Sequence, residues 1–161
     1  MKQLLIKLSL LLLMVNTINA QQSTDNSRID ILLIRGEYAK VIDTCNLILA
    51  DEDQNAEIHY KLGLAYQNIL LDDKAQSSFI RAAALDPGNK KYKQTLAKGY
   101  YARGKFGLAE PLFLELFSSD SLNWVNAFYL SGIFMQNSRY DEAIEIYDLF
   151  LEDDSLNTML L

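Results

Sequence analysis

The sequence predicts an all-α fold of stacked antiparallel helix pairs, on three observations. Ala56 to Asn89 holds two amphipathic helix patterns in succession, broken at Leu70–Asp73 and stopped at Asp86-Pro87-Gly88-Asn89. Small residues stand where the two helices would cross: Gly63 beside Leu62 and Tyr66, then Ala75 and Ala82 around Phe79. A connection this short forces the pair antiparallel, and small side chains let the backbones approach. The same template returns every 34 residues. A hairpin that cannot bury its apolar face alone needs neighbours stacked on it.

Lys90–Asn123 supplies Leu96, Ala97 and Tyr100, then Ala109, Phe113 and Leu116. Trp124–Asn157 supplies Leu130, Ser131 and Phe134, then Ala143, Tyr147 and Phe150. One period earlier, Gln22–Asn55 supplies Leu32, then Val41, Cys45 and Ile48, with Gly36 in the turn and Tyr38 opening the second helix. Its first helix departs from the template, because Arg28 and Ile29 stand where the large–small pair belongs.

These residues, with the closing Pro87, resemble the tetratricopeptide repeat, a helix–turn–helix unit of about 34 residues. One departure is His59, where the family often has a tryptophan. The resemblance covers a degenerate repeat at 22–55, then repeats at 56–89, 90–123 and 124–157, with a tail at 158–161 lacking a capping helix. It implies a right-handed superhelical solenoid of antiparallel helix pairs. It also implies an activity of binding peptides or proteins, with no catalysis, no cofactor and no metal.

Residues 1–20 form a different object. Lys2 and Lys7 give a positive start, Leu8 to Val15 is apolar but for Ser9, and Asn16 to Ala20 is polar and ends small. That is the layout of a secretory signal peptide, cut after Ala20. The apolar core is far short of the roughly 20 residues that span a bilayer, so the mature chain is expected to have no transmembrane segment. A retained anchor is the alternative. The short signal and the Gln21-Gln22 start point to a bacterial protein of the periplasm or cell envelope. Removing two lysines from 15 basic residues leaves 13 against 21 acidic ones. An acidic chain without a basic cluster argues against nucleic acid and against anionic membrane surfaces.

Little in the sequence is arranged for chemistry. The one histidine, His59, falls at a helix-packing position, and the one cysteine, Cys45, at a small apolar position of the core. Asp51, Asp53 and Asn55 alternate like the start of a calcium loop, but Ala56 replaces the glycine and Leu62 the closing glutamate. The glycines are spaced as turns and crossing residues, not as a phosphate loop. Acidic pairs such as Asp72/Asp73 and Asp153/Asp154 sit at helix junctions, where acids favour helix starts and solvent. Pro111 falls inside the second helix of its repeat. If that helix opens near Phe106–Gly107, the proline loses at most its first bond and bends rather than breaks it.

In the family, the first helix of each repeat lines a concave groove through its second, fifth, ninth, twelfth and thirteenth places. Carried over, this gives Tyr60, Leu64 and Gln67, then Gln94, Lys98 and Tyr101, then Phe128 and Met135 as the candidate groove for a protein or extended peptide. Tyr and Phe offer large contact area at low entropy cost, and Gln can hydrogen-bond an extended backbone. The competing reading is that these side chains only pack against adjacent repeats. Some family members clamp a C-terminal carboxylate through paired Lys and Asn. Asn26, Asp30, Tyr60 and Leu64 stand at the matching places, so that activity does not carry over. The expected function is a non-catalytic scaffold or adaptor of the envelope. The alternatives are the N-terminal module of a larger envelope enzyme or signalling protein, and a structural protein that self-associates through an uncapped C-terminal edge. One test of register follows: Ala75→Leu should cost about 1–3 kcal/mol through overpacking, read as a lowered denaturant midpoint. An unchanged midpoint would show that the template is misplaced.

Overall fold

The computed structural model describes residues 2–51 and 53–151. The end of the fourth repeat and the tail at 158–161 lie outside them, as does the side chain of Phe150. The described helices are α1 (Lys2–Ile34), α2 (Tyr38–Asp51), α3 (Ala56–Asn68), α4 (Asp72–Leu85), α5 (Lys90–Ala102), α6 (Phe106–Ser119), α7 (Trp124–Gln136) and α8 (Tyr140–Leu151). No strand occurs among the described residues. The chain divides into two compact units, residues 1–78 and 79–161.

Two backbone devices recur with the 34-residue period. Asn55, Asn89 and Asn123 each precede a first helix, and each side chain accepts the N–H three residues on, from Ile58, Tyr92 and Asn126 at 3.1, 3.4 and 3.3 Å. Such a cap satisfies one of the helix's orphan donors. Within every pair, one residue turns left-handed: Gly36 (φ 70°), Leu70 (φ 61°), Gly104 (φ 66°) and Ser138 (φ 60°). The next N–H reaches back five residues each time, Glu37 to Leu32, Leu71 to Tyr66, Lys105 to Tyr100 and Arg139 to Phe134. This closes the helix C-terminus by satisfying its last carbonyls.

In residues 1–78, α1 packs on α2 and α3, and α2 packs on α3. The period places the first pair at 22–55. Instead α1 is one helix from Lys2 to Ile34, since no Gly or Pro interrupts the sequence before Gly36. The proposed cut after Ala20 falls inside it. No described helix is long and apolar enough to cross a membrane. The poorly matching Ile29 is fully buried, in a cluster with Leu32, Val41, Cys45, Ile58, Leu62 and Ala65. Burial pushes the Cys45 thiol up to about 12, against the pull of Lys61, so this cysteine is an inert core group. Lys61 is itself buried. Its ammonium lies 2.8 Å from Asp30 Oδ1 and 3.1 Å from Glu57 Oε1, and donates to the Asn26 carbonyl at 3.0 Å. These partners compensate the desolvated charge and tie α1 to α3.

In residues 79–161, α5 packs on α6, α6 on α7 and α7 on α8, while α5 also touches α7. The core holds Ala97, Ala109, Phe113, Leu116, Ala127, Leu130, Ile133, Phe134, Ala143 and Ile146. Arg139 bridges Glu110 on α6 and Glu142 on α8, with its guanidinium 4.2 Å from the Phe134 ring centroid. The bond from Arg139 holds the Glu142 carboxyl below the usual range. Helix α6 continues unbroken through Pro111. The Lys105 carbonyl already accepts from Ala109. The bond that Pro111 cannot make is therefore to the Gly107 carbonyl, slightly further in than expected but still near the helix start.

Leu70, one of two non-glycine residues in this conformation, is the one worth testing. It is 82% exposed, so its side chain contributes little packing, while the left-handed conformation costs a non-glycine residue roughly 1–2 kcal/mol. Leu70→Gly should raise stability by about 1 kcal/mol, seen as a higher urea midpoint. A fall would show that the leucine side chain holds the turn.

Candidate functional site

His59 is buried, with Nε2 2.9 Å from the Asp53 carbonyl oxygen and 3.4 Å from the Asp53 carboxylate. It clamps the loop before α3, as a packing histidine should. Among the described residues no group of three or more His, Cys, Asp and Glu side chains is placed to hold a metal. The sequence-predicted groove residues lie on the first helices of the pairs, α3, α5 and α7.

On α3, the expected groove residue Tyr60 is only 7% exposed. Every residue from Ile58 to Gly63 is buried, so α3 offers no open stripe at that level and Tyr60 serves as core. Leu64 is half-buried and Gln67 is exposed. These two remain available to a partner.

On α5 the three candidates turn toward α7. Gln94 Nε2 donates to Asn126 Oδ1 at 2.7 Å. Lys98 Nζ stands 5.6 Å from the Tyr129 ring centroid. Tyr101 meets Tyr129 edge-on at 4.9 Å and Phe106 at 5.4 Å. Tyr129 in turn stacks on Phe113, centroids 5.0 Å apart and planes 7° apart. Such ring pairs add about 0.5–1.5 kcal/mol beyond their area burial. The Tyr101 hydroxyl lies over Gly132, where an added Cβ would come within 2.7 Å of it. Gln94, Lys98 and Tyr101 thus both edge the surface and join α5 to α7. All three keep part of their surface in solvent.

Phe128 and Met135 are the residues one period beyond Gln94 and Tyr101, and both stand exposed on α7. Phe128 is 55% exposed, and Trp124, one turn before it, is 69% exposed. Tyr129 and Trp124 escaped the sequence reading. The template has Thr95 and Lys90 at those places one period earlier and gives no hint of an aromatic. The available signal was the aromatic density of 124–134 itself.

No protein-family model matches the chain, and no curated protein matches it in sequence. Solved structures do match. MamA AMB-1 is similar at TM-score 0.67 and 22% identity, covering 77% of this chain and 73% of its own. The Yersinia enterocolitica type III secretion translocator chaperone SycD is similar at TM-score 0.63 and 16% identity, covering 72% of this chain and 85% of its own. A second SycD structure, in complex with a peptide of the translocator YopD, is similar at TM-score 0.64 and 16% identity, covering 73% and 95%. At these identities the likeness shows the fold: helical repeats of the tetratricopeptide type.

The contact between Tyr101 and Gly132 yields a test. Gly132→Ala should cost about 1 kcal/mol net, the displacement of the Tyr101 hydroxyl being partly offset by alanine's better helix propensity, and Tyr101→Phe should relieve that displacement, because the nearest ring carbons would lie 3.5 Å from the new methyl. A double-mutant cycle in denaturant measures it. Additive costs would place the hydroxyl elsewhere.

Proposed function

We propose that this chain is a non-catalytic, exported protein-binding scaffold of the bacterial cell envelope, with its repeats in a right-handed superhelix. Its first helices hold a protein or extended peptide. The observation that carries this is the partly open side chains on consecutive first helices of a tetratricopeptide-type fold: Lys98 and Tyr101 on α5, Phe128 and Met135 on α7. A tyrosine and a phenylalanine supply apolar contact, while the half-buried Gln94, held by the buried Asn126, presents an amide edge to an extended backbone. A structural neighbour of this fold was solved holding a peptide of its partner, which supports the same use here. Leu64 and Gln67 supply an equivalent surface on α3. Export rests on the charged, apolar and small-residue layout of residues 1–20.

Two measurements check the reading. The exported form should begin at Gln21 and fractionate with the periplasm or envelope; a cytoplasmic chain retaining Met1 would remove the envelope assignment. The single tryptophan, Trp124, reports on the α7 surface. A partner isolated from envelope extract should shift its emission on binding, and Phe128→Ala should weaken that binding about tenfold, or roughly 1.4 kcal/mol. Unchanged affinity in both Phe128→Ala and Lys98→Ala would mean that these helices are not the binding surface.

A further inference from the structure

The start of α7 meets the start of α5 and the end of α6 at a polar cleft of about 190 Å³, and the three helices pack on one another around it. Most of the polar groups in its wall are already engaged. Asn123 accepts the Asn126 backbone N–H at 3.3 Å and donates to the Asp120 carboxylate at 3.5 Å. The Ser119 hydroxyl donates to the Leu116 carbonyl at 2.8 Å. The exception is the pair Gln94–Asn126, which lines the same cleft. Gln94 Nε2 donates to Asn126 Oδ1 at 2.7 Å. Among the described residues, the Asn126 N–H₂ then finds no acceptor and Gln94 Oε1 no donor. Asn126 is only 3% exposed, so its N–H₂ is a nearly buried donor in the cleft wall. Leaving such a group unpaired is costly. Exchanging O and N in both amides reverses the bond between them and leaves the same pattern, one donor beside one acceptor.

That pattern selects a chemistry. A primary carboxamide carries a carbonyl and an N–H₂ on one carbon, so it meets both groups at once. A backbone peptide unit points its C=O and N–H to opposite sides and meets one of them. An ionised carboxylate only accepts, and would set a negative oxygen against Gln94 Oε1. The cations at the cleft do not reverse this order. Lys90 and Lys91 are both exposed, where an ion pair contributes little, and Asp120 stands in the same wall with the opposite charge. We propose that this cleft reads the side-chain carboxamide of a glutamine or asparagine in the bound peptide. Asn126 donates to the ligand carbonyl, and Gln94 Oε1 accepts from the ligand N–H₂. Gln94 Oε1 has a second acceptor site, which stays open to a backbone N–H of the same peptide. The proposal rests on the scaffold reading and names a residue class that the partner presents.

The test titrates the full chain with N-acetyl-glutamine methylamide and with its glutamate and methionine analogues. The side-chain amide signals of Gln94 and Asn126 are followed by nuclear magnetic resonance. The glutamine analogue should shift both signals saturably and bind about tenfold tighter than either of the others. Gln94→Met removes the acceptor, and Gln94→Glu draws the Asn126 N–H₂ to itself and leaves no donor for the ligand. Gln94 is half-buried, so neither change opens a core cavity. Each should abolish the preference for the glutamine analogue, with unchanged helical circular dichroism. Lys90→Met should leave the order of the three analogues as it was. A glutamate analogue that binds as well as the glutamine one, or binding lost in Lys90→Met, would make the cleft a carboxylate site and overturns the proposal. Equal binding of the methionine analogue, or no saturable shift at all, overturns it too. So does a preference that survives both Gln94 variants. An envelope partner weakened by Phe128→Ala but indifferent to Gln94→Met would overturn this proposal while leaving the scaffold reading intact.

Discussion

The rest of the structure depends on a fixed frame of backbone hydrogen bonds. An asparagine cap opens each of α3, α5 and α7, and a left-handed residue at 36, 70, 104 and 138 closes the first helix of each pair. Each cap contributes on the order of 1 kcal/mol, modest beside the buried core. Its larger effect is positional. A helix that starts one residue late is rotated by about 100°, and every inward side chain would then face solvent. Because start and stop are both pinned, residues one period apart occupy equivalent places. Gly63, Ala97 and Ser131 are all buried on the first helices, and Ala75, Ala109 and Ala143 on the second.

Within that frame, side-chain choice decides which faces close. Residues 79–161 close theirs with rings. Tyr129 lies between Phe113, Tyr101 and Phe128, and the ammonium of Lys98 stands over it. Gly132 makes room for Tyr101. The polar pair Gln94–Asn126 and the Arg139 bridge supply direction that rings alone lack. Residues 1–78 use a buried charge for the same task, with Lys61 gathering Asp30, Glu57 and Asn26. A buried lysine is costly unless fully partnered. Its three partners account for its position between α1 and α3.

The sequence made much of the fold legible, because the repeat's constraints are local. Small residues at crossings, the turn at Gly36 and the break at Leu70–Asp73 could be placed by counting. What it hid depends on neighbours or on exceptions to propensity. Leu70 takes a left-handed turn that no propensity favours, because the repeat frame dictates it. Ile29 fills a place reserved for a small residue, and the helix forms regardless. The candidate site was legible as a set of positions but not as a set of exposures. Tyr60 is buried because all of Ile58 to Gly63 is covered. Tyr101 is held by Tyr129, a residue outside the family's groove places. Only Gln67, Phe128 and Met135 are open to the extent that the positional argument assumed.

In a repeat array each pair is stabilised chiefly by its immediate neighbours. Within residues 79–161, α7 is covered by α5, α6 and α8, while α8 shows Tyr140, Ile144 and Tyr147 to solvent. Helix α8 packs on α7, which carries the proposed contact residues Phe128 and Met135. A ligand on this side would remove apolar area from water. Anything that binds the folded form alone stabilises it by mass action. On the proposed function, the apolar area that Phe128 and Met135 leave in solvent is area that a partner would bury, so binding would add to the stability of this part of the chain.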